Sequence, residues 1–190
     1  MMEDCKLARL VRSGDRDAFR LLINRNQRLV NHIVYKAVGD AFEREEICQD
    51  VFLKVYRNIG KFKGDAKLST WIGRIAYHQA LDYRKRKKLN TVSLQKDEED
   101  NFNYEPAATE SADEISHKQD FNAMLESQLL KLAPHYRTVL TLYHLDEMSY
   151  QEIGDIMKMP EGTVKSYLFR ARKMLRENIT ASFSKEDIGI

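Results

Sequence analysis

Proline and glycine are scarce in this 190-residue chain, three and eight in all, so few positions force a turn and long stretches are free to be helical. No alternation of apolar and polar residues runs long enough to suggest a strand. Cys5 and Cys48 stand far apart with no Cys or His at ligand spacing, which excludes a disulfide framework and a zinc site. No apolar run approaches the roughly 20 residues a membrane span needs. The opening MMEDCKLARLVRSGD has neither the apolar core nor the cleavage site of a signal peptide, so the chain reads as cytoplasmic. There is no glycine-rich phosphate loop, no HExxH and no Gly-x-Ser-x-Gly. The five histidines are scattered, and His32, His135 and His144 read as structural residues within helices. Catalysis, a cofactor and a small-molecule substrate are therefore not expected.

What is present is apolar side chain enough for packed cores, 43% of residues, with 32% charged. The net charge of +2 averages over unlike segments. Residues 91–115, TVSLQKDEEDNFNYEPAATESADEI, hold eight acidic residues against one lysine. Such a piece buries too little apolar surface to offset its ordering entropy and reads as a flexible acidic linker, either a plain solvated loop or a regulatory one. Before it, helices are expected over about 3–12, from Asp15 to about 37, from Arg44 to Gly60, and from an N-cap at Ser69 or Thr70 to Lys88. After it come FNAMLESQLLKL, then HYRTVLTLYHL following Pro134. SYQEIGDIMK is next, with Ser149 and Glu152 in capping-box spacing, and MPEGTVKSYLFRARKML closes the series. The expected fold is all-α, with helical domains at 1–90 and 116–182 and a tail at 183–190.

On a wheel from Val164, Leu168, Ala171 and Leu175 fall within about 40° and form a core stripe. Lys165, Ser166, Phe169, Arg170 and Lys173 take the outer arc. Two helices joined by KMPEG match a helix-turn-helix, whose second helix enters the major groove of DNA. Lys165 and Arg170 suit guanine acceptors or phosphates, Ser166 suits either, and Phe169 suits a thymine methyl. Arg172 and Lys173 suit phosphate. An amphipathic surface helix with a merely solvated basic face is the plainer reading.

In EREEICQDVFLKVYRNIGKF, residues Ile47, Cys48, Val51, Phe52, Val55, Tyr56 and Ile59 span a broad core arc. Leu53 lies outside it, ringed by Glu46, Gln49 and Asp50, which outlines a small docking patch or an ordinary exposed leucine. In STWIGRIAYHQALDYRKRKK, Trp71, Tyr77 and Tyr83 interleave with Arg74, and Arg84 to Lys88 are consecutive cations at an expected helix C-terminus. Aromatic platforms beside a cationic track suit unpaired bases, although core packing suits Tyr83 equally.

Together these segments resemble the extracytoplasmic-function sigma factors. EEICQDVFLKVYRNIGKF and STWIGRIAYHQALDYRKRKK look like region 2 of that family, and LAPHYRTVL, MSYQEIGDIM and MPEGTVKSYLFRARKML look like region 4. The resemblance implies a protein that binds core RNA polymerase, directs it to promoter DNA and helps open the duplex. It implies polymerase clamp-helix contact through Glu46, Gln49, Asp50 and Leu53, and flap contact through the apolar side of HYRTVLTLYHL. It assigns capture of flipped −10 bases to Phe62, Lys63, Gly64, Asp65, Ala66, Lys67 and Trp71, with His78, Arg84, Lys85 and Arg86 alongside. It assigns −35 reading to Thr163, Lys165, Ser166, Phe169, Arg170 and Lys173. An anti-sigma factor is the implied inhibitory partner, and the free chain is expected to be a monomer. His78 replaces a frequent asparagine of the family and Tyr167 a common basic residue. The rival reading, a helix-turn-helix operator-binding regulator, needs a dimer surface and a palindromic site but neither the Leu53 patch nor the aromatic-basic helix.

Overall fold

The computed structural model describes residues 2–38, 41–92 and 123–182, and every regular element among them is helical. The helices are α1 (Met2–Arg12), α2 (Arg16–Ala37), α3 (Ala41–Asn58), α4 (Leu68–Val92), α5 (123–130), α6 (Pro134–His144), α7 (Tyr150–Met157) and α8 (Glu161–Ser182), with a 3-10 turn at Ile59–Lys61. The all-α expectation holds. The acidic segment from residue 93 onward, the start of FNAMLESQLLKL and the tail 183–190 lie outside the described residues.

Local chemistry explains several boundaries. Gly14, at φ +87°, turns the chain out of α1, and the Asp15 carboxylate then caps α2 by accepting from Asp17 and Ala18 N–H. The capping box of α7 forms as expected, with Ser149 Oγ accepting from Glu152 N–H while the Glu152 carboxylate accepts from Ser149 N–H. Lys158, in the left-handed region at φ 55°, ends α7.

Other boundaries differ from expectation. Ser69 and Thr70 lie inside the first turn of α4, and neither caps it. The acceptor for Leu68 N–H is the Asp4 carboxylate of α1, at 3.1 Å, a partner 64 positions away that no local pattern reveals. Helix α4 also continues to Val92, past Lys88. Its last turn holds no basic residue, so the cation run lies short of the helix end and the macrodipole argument for it lapses.

Helices α1 to α4 bury Val11, Leu22, Ile33, Val51, Val55, Ile72 and Ala76. Tyr56, expected in the core arc, is 45% exposed; its ring lies 5.0 Å from Phe19. Helices α6, α7 and α8 bury Val139, Leu142, Ile153, Ile156, Val164, Leu168 and Ala171, which includes most of the expected stripe of α8. The two halves then pack on each other, α6 against α2 and α7 against α4, so their buried residues form one continuous cluster. Gly73 permits this approach. A Cβ there would lie 2.9 Å from Ile156 Cδ1 and 3.4 Å from Ile33 Cδ1. The apolar side of α6, expected to face a polymerase flap, is spent on this core, with Val139, Leu140 and Leu142 all buried.

Removing the long-range cap tests this reading of α4. Asp4→Ala is expected to lower unfolding free energy by about 1 kcal/mol, the usual cost of a lost N-terminal acceptor. Chemical denaturation followed by circular dichroism measures it, and hydrogen exchange should rise selectively at Leu68.

Candidate nucleic-acid and polymerase interface

Helix α7, the turn through Lys158 to Pro160 and helix α8 form a compact corner. A Cβ at Gly154 would meet the Met159 carbonyl oxygen at 2.7 Å, so this glycine lets the turn close against α7. Val164, Leu168 and Ala171 fix α8 from behind, and Lys165, Ser166, Phe169, Arg170 and Lys173 all face outward. Phe169 is 71% exposed, which is unusual for so apolar a ring. Ser166 Oγ donates to Gly162 O at 2.9 Å, leaving its lone pairs to accept from a partner. Thr163 is half-buried.

An aromatic stack braces this helix. Tyr143 of α6 and Tyr150 of α7 lie 5.3 Å apart and nearly parallel, at 12°. Lys165 Nζ sits 5.4 Å from the Tyr150 ring and the Arg172 guanidinium 5.1 Å from the Tyr143 ring. These two cations are two turns apart on one side of α8, so the stack holds both by cation–π attraction. Arg172 Nε also donates to His144 Nε2 at 3.2 Å; burial first, and then the Arg172 charge, lower the His144 pKa. Tyr167, the departure from the family's common basic residue, packs between helices, 5.1 Å from His135 and 5.3 Å from Tyr136. That position is spent on packing. Sequence reasoning missed the stack because its rings come from different helices and share no period.

In the first half, Glu46, Gln49, Asp50 and Leu53 are all exposed on α3, with Leu53 at 50%. Tyr56, one turn on, extends the apolar area. Lys63 and Asp65 are exposed; Gly64 sits at φ +83° with Cys5 Sγ so near that a Cβ would meet it at 2.8 Å. Phe62 and Trp71 are half-buried and meet edge to face at 5.8 Å. Ala66 is half-buried too. Tyr77 is buried, so it is a core residue and not a stacking platform. His78 Nδ1 donates to Arg74 O at 2.7 Å, which fixes its tautomer. Along α4, Arg84 is half-buried, while Lys85 and Arg86 are exposed.

Comparison with known proteins places this geometry. Residues 22–89 match the sigma-70 region 2 model and residues 122–175 the sigma-70 region 4 model. The sigma factor SigW of Bacillus subtilis is 32% identical, the match covering 92% of this chain and 95% of that protein. The chain belongs to the extracytoplasmic-function sigma factors. The sigma-E factor of Escherichia coli is 34% identical over 94% of this chain and 95% of its own. Among solved structures, CnrH in complex with the cytosolic domain of CnrY superposes with a TM-score of 0.69 at 20% identity, covering 95% of this chain and 99% of that one. The sigma factor RpoE of Bartonella quintana, in complex with the anti-sigma factor NepR, gives 0.67 at 19%, covering 85% and 96%.

In this sigma factor, region 4 lies against region 2 along a charged seam. The Asp146 carboxylate accepts from His32 Nδ1 at 2.9 Å and lies 3.9 Å from Arg28 Nε. Arg28 also donates to Leu145 O. Lys67 Nζ pairs with Glu152 at 2.8 Å, and Arg74 Nε donates to Asp155 O at 2.8 Å. The bond to Glu152 raises the Lys67 pKa. Burial pushes the Glu152 carboxyl up, but its bonds to Lys67 and Ser149 outweigh this and hold it below the ordinary range. Arg137 of α6 is buried with no hydrogen-bond partner for Nε; burial, with Arg84 and Arg44 nearby, pushes its pKa down to about 10, leaving it charged at neutral pH. None of these contacts was visible in the sequence, because each joins helices far apart in the chain.

The stack makes a specific prediction. Tyr150→Leu should release Lys165 and weaken holoenzyme binding to −35 duplex by about two- to fivefold, the worth of one exposed cation–π contact. Tyr150→Phe, which keeps the ring, should retain wild-type affinity. Electrophoretic mobility shifts on matched duplexes measure both.

Proposed function

We propose that this chain is an alternative sigma factor that binds core RNA polymerase, directs it to specific promoters and assists promoter melting. The observation that carries the reading is the order of two recognisable units in one chain, region 2 over 22–89 and region 4 over 122–175, the second presenting an outward basic helix. Region 2 occupies 1–90 and region 4 occupies 116–182, joined by an acidic connector. Glu46, Gln49, Asp50 and Leu53 dock on the polymerase clamp helices; an exposed leucine among carboxylates and an amide suits a small hot spot. The 62–67 loop, with Trp71, His78 and Arg84 to Arg86, holds flipped bases of the −10 strand, through an aromatic pair beside a cationic track. Thr163, Lys165, Ser166, Phe169, Arg170 and Lys173 read the −35 duplex, with polar and cationic groups for base edges and phosphates and the Phe169 ring for a methyl.

The chain works in the cytoplasm as a polymerase subunit, without catalysis or cofactor of its own. Among its described residues no helix is long and apolar enough to cross a membrane. A protein inhibitor of the anti-sigma kind is its expected partner, by likeness to relatives solved with such partners.

Two substitutions separate the roles. Leu53→Asp should abolish binding to core polymerase, read by native gel or fluorescence anisotropy, while the circular dichroism of the chain stays helical. Arg170→Ala should leave core binding intact and weaken −35 discrimination by about 1–3 kcal/mol, as for one base-edge contact. Unchanged core affinity in the Leu53 variant would dismiss the docking patch.

A further inference from the structure

The 62–67 loop alternates in exposure. Lys63, Asp65 and Lys67 are exposed, while Phe62, Gly64 and Ala66 between them are half-buried. What the inner residues rest on therefore decides where the outer, charged ones stand. At the entry, Phe62 closes against Trp71, ring edge to face at 5.8 Å. At the tip, Gly64 takes φ +83° and lies over α1, so close that a Cβ there would stand 2.8 Å from Cys5 Sγ. At the exit, the Asp4 carboxylate of α1 accepts from Leu68 N–H at 3.1 Å, and the Leu68 side chain is buried.

The sequence of α1 fits this role. Asp4, Leu7, Ala8 and Val11 recur at helical spacing and share one side, and the last three are buried. A plain core stripe would carry an apolar residue at position 4. A half-buried carboxylate there loses hydration and needs a donor, and the donor it finds is the loop's exit. Cys5 is half-buried beside it, and its sulfur already fills the space beneath Gly64. Both residues lie ahead of the span matched to region 2, which begins at residue 22.

We propose that α1 is the bed of the base-capturing loop, with Asp4 and Cys5 as positioning residues for −10 selection: they meet no base, but they fix where Lys63 and Asp65 stand. This rests on the assignment of the 62–67 loop to the −10 strand. A loop held at entry, tip and exit before DNA arrives has less conformational entropy left to lose on binding. A wrong base then meets a fixed surface that does not adapt to it, so the frame acts on discrimination between bases more than on general affinity for the strand.

The test compares base preference in the holoenzyme. Single-stranded oligonucleotides with the −10 sequence found at mapped transcript starts, and their single-base variants, compete for holoenzyme made with each chain. Asp4→Ala should lower the preference for the native base by about fivefold, the lower end of the range for coupled sites. Core polymerase binding and −35 duplex binding should keep their wild-type values. Asp4→Asn keeps an acceptor for Leu68 N–H and should keep the wild-type preference. Cys5 is probed in the folded chain, in a Cys48→Ser background, with methyl methanethiosulfonate, which leaves a methylthio group on the sulfur. Preference should fall on that modification and return on treatment with dithiothreitol, while Cys5→Ser should match wild type and ignore the reagent. Unchanged preference in both Asp4→Ala and the methylthiolated chain overturns the proposal. So does an equal loss at every base and at the −35 duplex, which marks a structural role alone. Lys63→Ala and Asp65→Ala test the reading beneath it. If neither alters preference, the assignment of the loop to the −10 strand fails; if they alter it and the α1 changes do not, only the bed fails.

Discussion

Helix α4 meets α2 on one side and α7 on the other, and Gly73 is where the three come together. A Cβ there would stand 2.9 Å from Ile156 Cδ1, which would have to shift, and would touch Ile33. Because the position is bare, the two halves share one buried cluster instead of keeping two small cores. Small helical units bury a modest fraction of their surface when alone, so sharing a core adds stability that neither half reaches by itself. The arrangement of the functional surfaces follows from this contact. It turns the acidic side of α7 toward the 62–67 loop, covers the apolar side of α6, and leaves α8 and the Leu53 side of α3 facing solvent.

Those two exposed surfaces differ in chemistry. On α3 a leucine and a tyrosine are framed by acids, which favours a partner with an apolar knob and basic surroundings. On α8 a phenylalanine projects among cations, which favours an anionic groove with methyl groups. The Tyr143–Tyr150 stack stiffens the second surface by holding Lys165 and Arg172 against the protein. A held side chain loses less rotamer entropy on binding than a free lysine or arginine does.

Much of this was legible in the sequence, for a physical reason. Helix periodicity, the Ser149–Glu152 capping box and the core stripe of α8 are local, and a helix writes such features within a few residues. Leu53 stood out because it breaks the periodicity of its own helix, and its exposure agrees. What escaped was set by contacts distant in sequence. Asp4 caps α4 from another helix, so the local signal at Ser69 and Thr70 misled. Tyr56 fell on the core arc of an ideal wheel, yet Phe19 meets it at the surface. Tyr167 departs from the family pattern because His135 and Tyr136 surround it. Lys67 looked like a free cation for DNA until the fold brought Glu152 to it. Periodicity assigns a face to a residue but does not say what that face meets.

The most direct test of the account is transcription from defined components. The purified chain and sigma-free core polymerase would be given fragmented genomic DNA from the source bacterium, and the transcript starts mapped. The account predicts discrete starts that depend on the chain and share two upstream elements at fixed spacing, one read by α8 and one melted at region 2. No chain-dependent starts, together with tight binding of the chain alone to a palindromic duplex, would contradict it and indicate an operator-binding regulator.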